Sequence, residues 1–143
     1  MRLAVCMGAA VDVIGPCGFI LDDRRLRRAG MDYLEGIDMT VFRSWEEYRA
    51  SRIDGRLALL TTKGAIPYTD FAFRSDDRIM VGQESAGVPD SVHEVVDARL
   101  VIPIKPPARS LNVALAAAIV LGEAMRQITL ASRMIDSGST LFA

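Results

Sequence analysis

The sequence predicts an α/β domain with a mainly parallel sheet flanked by helices. Three features carry that prediction: short apolar runs recur along the chain, several lack polar alternation, and helix signals fall between them. Runs that are apolar on both faces suit parallel strands covered by helices, and alternating strands and helices mark that architecture. The expected strands are residues 9–14, 39–42, 57–61, 79–82 and 100–104. After the first, Asp22 or Asp23 can cap a helix that Gly30 ends. After the second, Ser44-Trp45-Glu46-Glu47 has the spacing of a capping box, in which serine and glutamate each serve the other's backbone N–H. Pro89 suits a first helical turn, because its fixed φ fits there and its missing N–H is not needed. In the last helix Leu111, Leu115, Ala118, Ile119 and Leu121 supply an apolar surface dense enough to be buried on most sides.

A chain of 143 residues, half of them apolar, fits one compact domain. The longest apolar stretch, residues 113–121, falls well short of the ~20 residues that cross a bilayer, so it is expected as a buried helix with no membrane partner. Asp12 interrupts the apolar run near the start and no small-residue cleavage site follows, so a cytoplasmic location is expected. Cys6 and Cys17 are too few for a disulfide framework, and with a single histidine there is no zinc pattern. Two free thiols and no metal are expected. His93, alone and without co-ligands, is read as an ordinary partly exposed helix residue.

The formal net charge of −1 supplies no global attraction for nucleic acid, so any RNA contact must be local. Arg24, Arg25, Arg27 and Arg28 form one dense basic run, and Arg43, Arg49, Arg52 and Arg56 a looser one. On composition alone such a run is more often a solvated helix face.

Ligands of open parallel sheets bind beyond the carboxyl ends of the strands. Three polar segments follow predicted strands and therefore converge on one edge: Thr61-Thr62-Lys63-Gly64, then residues 82–89, then residues 103–112. Gly82 and Gly87 permit close backbone approach, Glu84 offers a carboxylate between them, and Ser110 and Asn112 open the last helix, where free N–H groups favour polar ligand atoms. Thr-Thr-Lys-Gly has the wrong order for a Walker loop, and residues 82–89 lack the Gly-x-Gly-x-x-Gly fingerprint, which disfavours nucleotide and dinucleotide sites. Ser110 and Asn112 serve equally well as plain helix caps. The residues alone thus define a pocket and no named reaction.

The ordered set is more specific. Leu60-Thr61-Thr62-Lys63-Gly64, Gly82-Gln83-Glu84-Ser85-Ala86-Gly87-Val88-Pro89, Ile102-Pro103-Ile104 and Arg109-Ser110-Leu111-Asn112-Val113-Ala114 resemble, in that order, the motif series of the SpoU/TrmH class of SPOUT RNA methyltransferases. Leu26-Arg27-Arg28-Ala29-Gly30-Met31-Asp32-Tyr33 is similar to the signature of the TrmL (YibK-like) subgroup, which acts on the tRNA wobble nucleotide. The likeness runs from Met1 to about Gln127, leaving residues 128–143 as a Ser- and Thr-containing tail expected to pack loosely.

The resemblance implies a SAM-dependent tRNA (cytidine/uridine-34) 2′-O-methyltransferase with a C-terminal trefoil knot, homodimeric and free of metal. On matching positions SAM would lie against Leu60, Thr61, Gly82, Glu84, Gly87, Ile102, Ile104, Ser110 and Leu111. Glu84 and Asn112 would shape the catalytic site, Ser110 would help position the ribose, and Arg2 falls where the family has an arginine acting on the 2′-hydroxyl. Arg24, Arg25, Arg27 and Arg28 would meet phosphates of the anticodon stem-loop. Family members also carry about 20 residues before that arginine, a strand, a Pro-rich loop and an Asn-x-Gly turn, by the usual length of such elements. This sequence does not contain them. An upstream start is therefore expected, the alternative being a non-catalytic remnant that binds SAM or RNA.

Overall fold

The computed structural model describes the backbone of residues 1–16, 38–51, 54–84 and 86–138, and side chains through residue 132. The chain groups into two compact units, Met1–Ile53 and Asp54–Ala143. The helix expected before Gly30 and the arginines at 24, 25, 27 and 28 lie outside the described residues, as does Cys17; Cys6 is an exposed free thiol.

In the first unit a short helix, α1 (Arg2–Met7), precedes strand β1 (Val11–Ile14). The strand starts two residues later than expected because the Ala9 N–H closes the helix end, donating to the Ala4 carbonyl at 2.9 Å. Strand β2 (Met39–Phe42) has the expected bounds and pairs in parallel with β1, Val11 opposite Met39 and Ile14 opposite Phe42. Ser44 caps helix α2 (Trp45–Ala50), its hydroxyl accepting from the Glu47 N–H at 3.3 Å. The return half of the box is displaced by one residue, since the Glu47 carboxylate accepts from the Arg43 N–H. Tyr48 is buried, with Phe42 edge-on at 5.1 Å and Trp45 stacked at 5.6 Å.

The second unit is built on strands β3 (Leu57–Leu60), β4 (Ile66–Pro67), β5 (Arg78–Val81) and β6 (Ala98–Val101), with a 3-10 turn at Tyr68–Asp70. The order across the sheet is β4-β6-β3-β5 and every pairing is parallel. Ala58 pairs with Ile79 on one side and Ala98 on the other, which makes β3 a central strand and explains its unbroken apolar run. Pro89 precedes helix α3 (Asp90–His93), and helix α4 spans Val113–Gly138. No element ends at residue 127; α4 runs through it.

One face of α4 covers the sheet. Val120 and Ala124 are buried with Ala58, Ala98, Leu100, Phe71 and Phe73 in a single apolar cluster. One turn on, the Gln127 amide accepts from the Phe73 N–H at 3.0 Å and donates to the Phe71 carbonyl at 3.2 Å, holding that loop to the helix. The expectation of burial on most sides is not met: Leu111, Leu115 and Ile119 are 39%, 59% and 39% exposed. The helix meets only one sheet face, so only one stripe at helical spacing finds cover within the chain. The apolar stretch is also longer than the sequence suggested. Val113–Ser132 is long and apolar enough, by length and composition alone, to cross a membrane. Its inner stripe is nonetheless a wall of this unit's core.

Arg56, read from the sequence as part of a basic scatter, is a structural residue. Its guanidinium grips Asp77 through Nε at 2.8 Å and Nη2 at 2.7 Å, donates to the Ala72 carbonyl, and lies 4.5 Å from the centre of the Phe71 ring. The Asp77 pair raises the Arg56 pKa further.

Candidate active site

Strands β3, β5 and β6 lie side by side and parallel, so the loops leaving Leu60, Val81 and Val101 emerge at the same edge. Together with the start of α4 they enclose a cavity of about 690 Å³ within the second unit. That volume is in the range of small-molecule and cofactor sites.

Two of the loops are drawn tight by contacts that only glycine allows. Thr61 N–H donates to Leu100 O at 2.9 Å and Ala65 N–H to Arg99 O at 3.1 Å, pressing the loop against β6; a Cβ on Gly64 would stand 2.5 Å from the Leu100 carbonyl. In the second loop Gln83 and Gly87 exchange backbone hydrogen bonds of 2.9 and 2.7 Å, and a Cβ on Gly82 would meet the Gly87 carbonyl carbon at 2.5 Å. The result is a narrow hairpin with Glu84 in its turn.

Glu84 ties this hairpin to α4. Its carboxylate accepts from the Asn112 side-chain N–H at 2.7 Å, and the Asn112 Oδ1 accepts from the N–H groups of Ala114 at 2.9 Å and Leu115 at 3.4 Å. Asn112 is thus a helix cap, as the sequence allowed, and also a partner of Glu84. At the rim Lys63 lies 3.6 Å from Asp90, both exposed. Arg109, also exposed, forms no hydrogen bond or ion pair with a described residue.

Of the residues singled out in the sequence, the cavity wall contains Leu60, Thr61, Gly82, Glu84, Gly87, Ile102, Ile104, Ser110, Leu111 and Asn112. Arg2 is the first residue of α1 in the other unit, and the structure describes it there only. The basic run at 24–28 lies outside the described residues, as do Arg52 and Ser85.

His93, read from the sequence as an ordinary partly exposed helix residue, does end a helix, and no place in the cavity wall was expected of it. It is half-buried, lines the cavity, and its Nδ1 is sealed from solvent without a hydrogen-bond partner among the described residues. A lone histidine gives no signal by spacing; only its position one helical turn after Pro89, at the foot of the second loop, hints at the wall.

Comparison with known proteins agrees with this geometry. The sequence profile of the SpoU rRNA Methylase family matches residues 1–122. A tRNA (cytidine(34)-2'-O)-methyltransferase of Beijerinckia indica is 51% identical over 139 residues, which are 96% of this chain and 87% of that protein. Among solved structures, one described under "Structural insights into the 2-OH methylation of C/U34 on tRNA" superposes with a TM-score of 0.82 at 32% identity, covering 90% of this chain and 84% of that one. The SpoU methyltransferase AviRb of Streptomyces viridochromogenes, solved in complex with the cofactor AdoMet, superposes with a TM-score of 0.72 at 28% identity, covering 88% of this chain and 53% of that one.

Proposed function

From the premise that this chain belongs to the SpoU rRNA methylase family, we propose that it transfers a methyl group from SAM to the ribose 2′-oxygen of cytidine or uridine at position 34 of tRNA. The observation that carries the proposal is the meeting of three motif loops, at 60–64, 82–89 and 102–112, around one cavity of about 690 Å³. The relatives' names and the AdoMet complex of AviRb support the substrate and the donor.

The wall fits such a donor. It is apolar at Leu60, Val81, Ile102 and Ile104 and polar at Ser110 and Asn112, features that suit a ligand with a flat base and scattered acceptors. When bound, the sulfonium supplies an already activated methyl group. What remains for the protein is alignment and proton removal. The backbone of the Gly82 hairpin and of Ile102 borders the nucleoside, while Ser110, at the mouth of α4, orients the ribose hydroxyl. Glu84 acts through Asn112 to fix the loop that presents Ser110. Arg2 is assigned the cation beside the 2′-oxygen. A guanidinium stays protonated, so it stabilises developing alkoxide charge, and the hydroxyl proton passes to an RNA phosphate or to solvent.

The rest of the reading follows the family. The knotted path of the C-terminal half, the homodimer and the cytoplasmic location belong to the proposal, as do the anticodon-stem contacts of Arg24, Arg25, Arg27 and Arg28. The uncovered stripe of Leu111, Leu115, Ile119 and Leu130 supports pairing of two copies through α4.

The test uses the purified chain, SAM and two matched tRNA transcripts, one carrying a 2′-deoxy residue at position 34. Methyl transfer to the first and none to the second is the expected result. Transfer that ignores the substitution overturns the position assignment. SAM binding without transfer to any tRNA overturns the catalytic reading and leaves a binding protein.

A further inference from the structure

Among the described residues, His93 supplies the one polar side chain of the cavity wall that lies outside the motif series. It ends α3, immediately beyond the hairpin of Gly82 and Gly87, and its two nitrogens stand in different surroundings. Nδ1 is sealed from solvent with no partner among the described residues, whereas Nε2 is neither sealed nor bonded to a described residue. Buried polar atoms are paired in the great majority of cases, and orphaned N–H groups are rarer than orphaned acceptors.

Those surroundings choose the tautomer. A neutral imidazole carries one N–H and one lone pair. A proton on Nδ1 would be a buried donor without an acceptor. With the proton on Nε2, the sealed nitrogen keeps only a lone pair and the donor is offered at the accessible edge of the ring, on a residue that lines the cavity. We propose that His93 is a cofactor-contacting residue whose Nε2–H donates to an acceptor atom of bound SAM, in its adenosine moiety or its carboxylate. The sulfonium is cationic, its lone pair too weakly basic to accept, and the ammonium has no lone pair, so this contact reads the part of the molecule that SAM shares with S-adenosylhomocysteine. His93 thereby holds the ligand's frame and takes no part in the transfer. The inference rests on the cavity's taking SAM.

The chain contains a single histidine, which makes its imidazole a clean probe. Long-range ¹H–¹⁵N correlation spectra of the wild-type protein, at one mildly alkaline pH, report the tautomer directly. The expected result is a protonated Nε2 and an unprotonated Nδ1, with the Nε2 resonance moving on saturation by SAM and equally by S-adenosylhomocysteine. Calorimetric titration of three variants adds the second arm. Gln places an N–H near the position of Nε2, Asn places its amide near Nδ1, and Leu offers neither. His93→Gln is expected to bind SAM within about 2-fold of wild type, and His93→Asn and His93→Leu about 5-fold more weakly, the size of one neutral hydrogen bond. SAM that binds while the imidazole resonances stay still, or three variants of equal affinity, overturns the role of His93 and leaves the methyltransferase reading intact. Should wild-type protein bind no SAM at all, both fall. If His93→Leu does not fold, the spectra of the unaltered protein decide the matter.

Discussion

The Glu84–Asn112 contact links the hairpin at 82–89 to the start of α4, and its removal has a calculable cost. Asn112→Ala deletes a side chain that accepts from Ala114 N–H at 2.9 Å and Leu115 N–H at 3.4 Å and donates to Glu84 at 2.7 Å. Loss of a helix cap costs about 1 kcal/mol. A charge-assisted hydrogen bond is worth more than a neutral one, but both residues are exposed, so its share is about 0.5–1 kcal/mol. Together they come to about 1.5–2 kcal/mol, which lowers a urea midpoint by about 1 M at the slope usual for a small protein. Glu84→Ala removes the second contribution alone, about 0.5–1 kcal/mol. If both residues act through this bond, the double variant costs less than the sum of the singles by about that same amount. Equilibrium urea unfolding of the wild type, two singles and the double measures it. Additivity to within about 0.3 kcal/mol would refute the coupling, and with it the idea that Glu84 positions Ser110 through Asn112.

Gly82→Ala is expected to abolish SAM binding by calorimetry, because the new Cβ meets the Gly87 carbonyl carbon at 2.5 Å and the hairpin must open; retention of wild-type affinity would contradict the close approach. In α4 the Glu123 carboxyl is held at a pKa of about 2, down from 4.5, by hydrogen bonds from Arg126 and Gln127. A depressed carboxylate stabilises the fold above 4.5 and loses that contribution as pH falls from 4.5 toward 2, so Glu123→Gln should flatten the fall in stability over that window in acid titrations followed by circular dichroism. Ile119→Glu places a charge on the exposed stripe of α4; sedimentation velocity is expected to show a monomer for this variant and a dimer for the parent, and an unchanged sedimentation coefficient counts against pairing through that face. Arg109, exposed at the cavity and without a partner among the described residues, is available to a tRNA phosphate; if it takes one, Arg109→Gln raises KM for tRNA with little change in kcat and lowers the salt slope of binding by about one unit.

The strands were legible because their signal is local. Met39–Phe42 has the expected bounds, and β3, β5 and β6 begin or end within a few residues of the runs that announced them. Strand β4 was not legible, since Ile66–Pro67 is two residues long and pairs only through β6. Helix α1 was missed because Arg2–Met7 has no side-chain cap to mark its start. The first two loops could be read from their glycines, and all three from the strands they follow. The state of α4's outer face could not, because composition reports how apolar a helix is and not what covers it. Nor could the environment of His93, whose sealed nitrogen is a fact of tertiary packing.

Strand order also dictates when a binding site can exist during synthesis. Strand β6, the last to be made, lies between β3 and β4, and its Leu100 carbonyl anchors the first loop at Thr61. A ribosome that has released only the first three strands of this unit has produced a sheet with its middle missing and a cavity without one wall. Ligand capture therefore waits for β6 and the start of α4, and any compound that binds the folded cleft raises the whole unit's melting temperature.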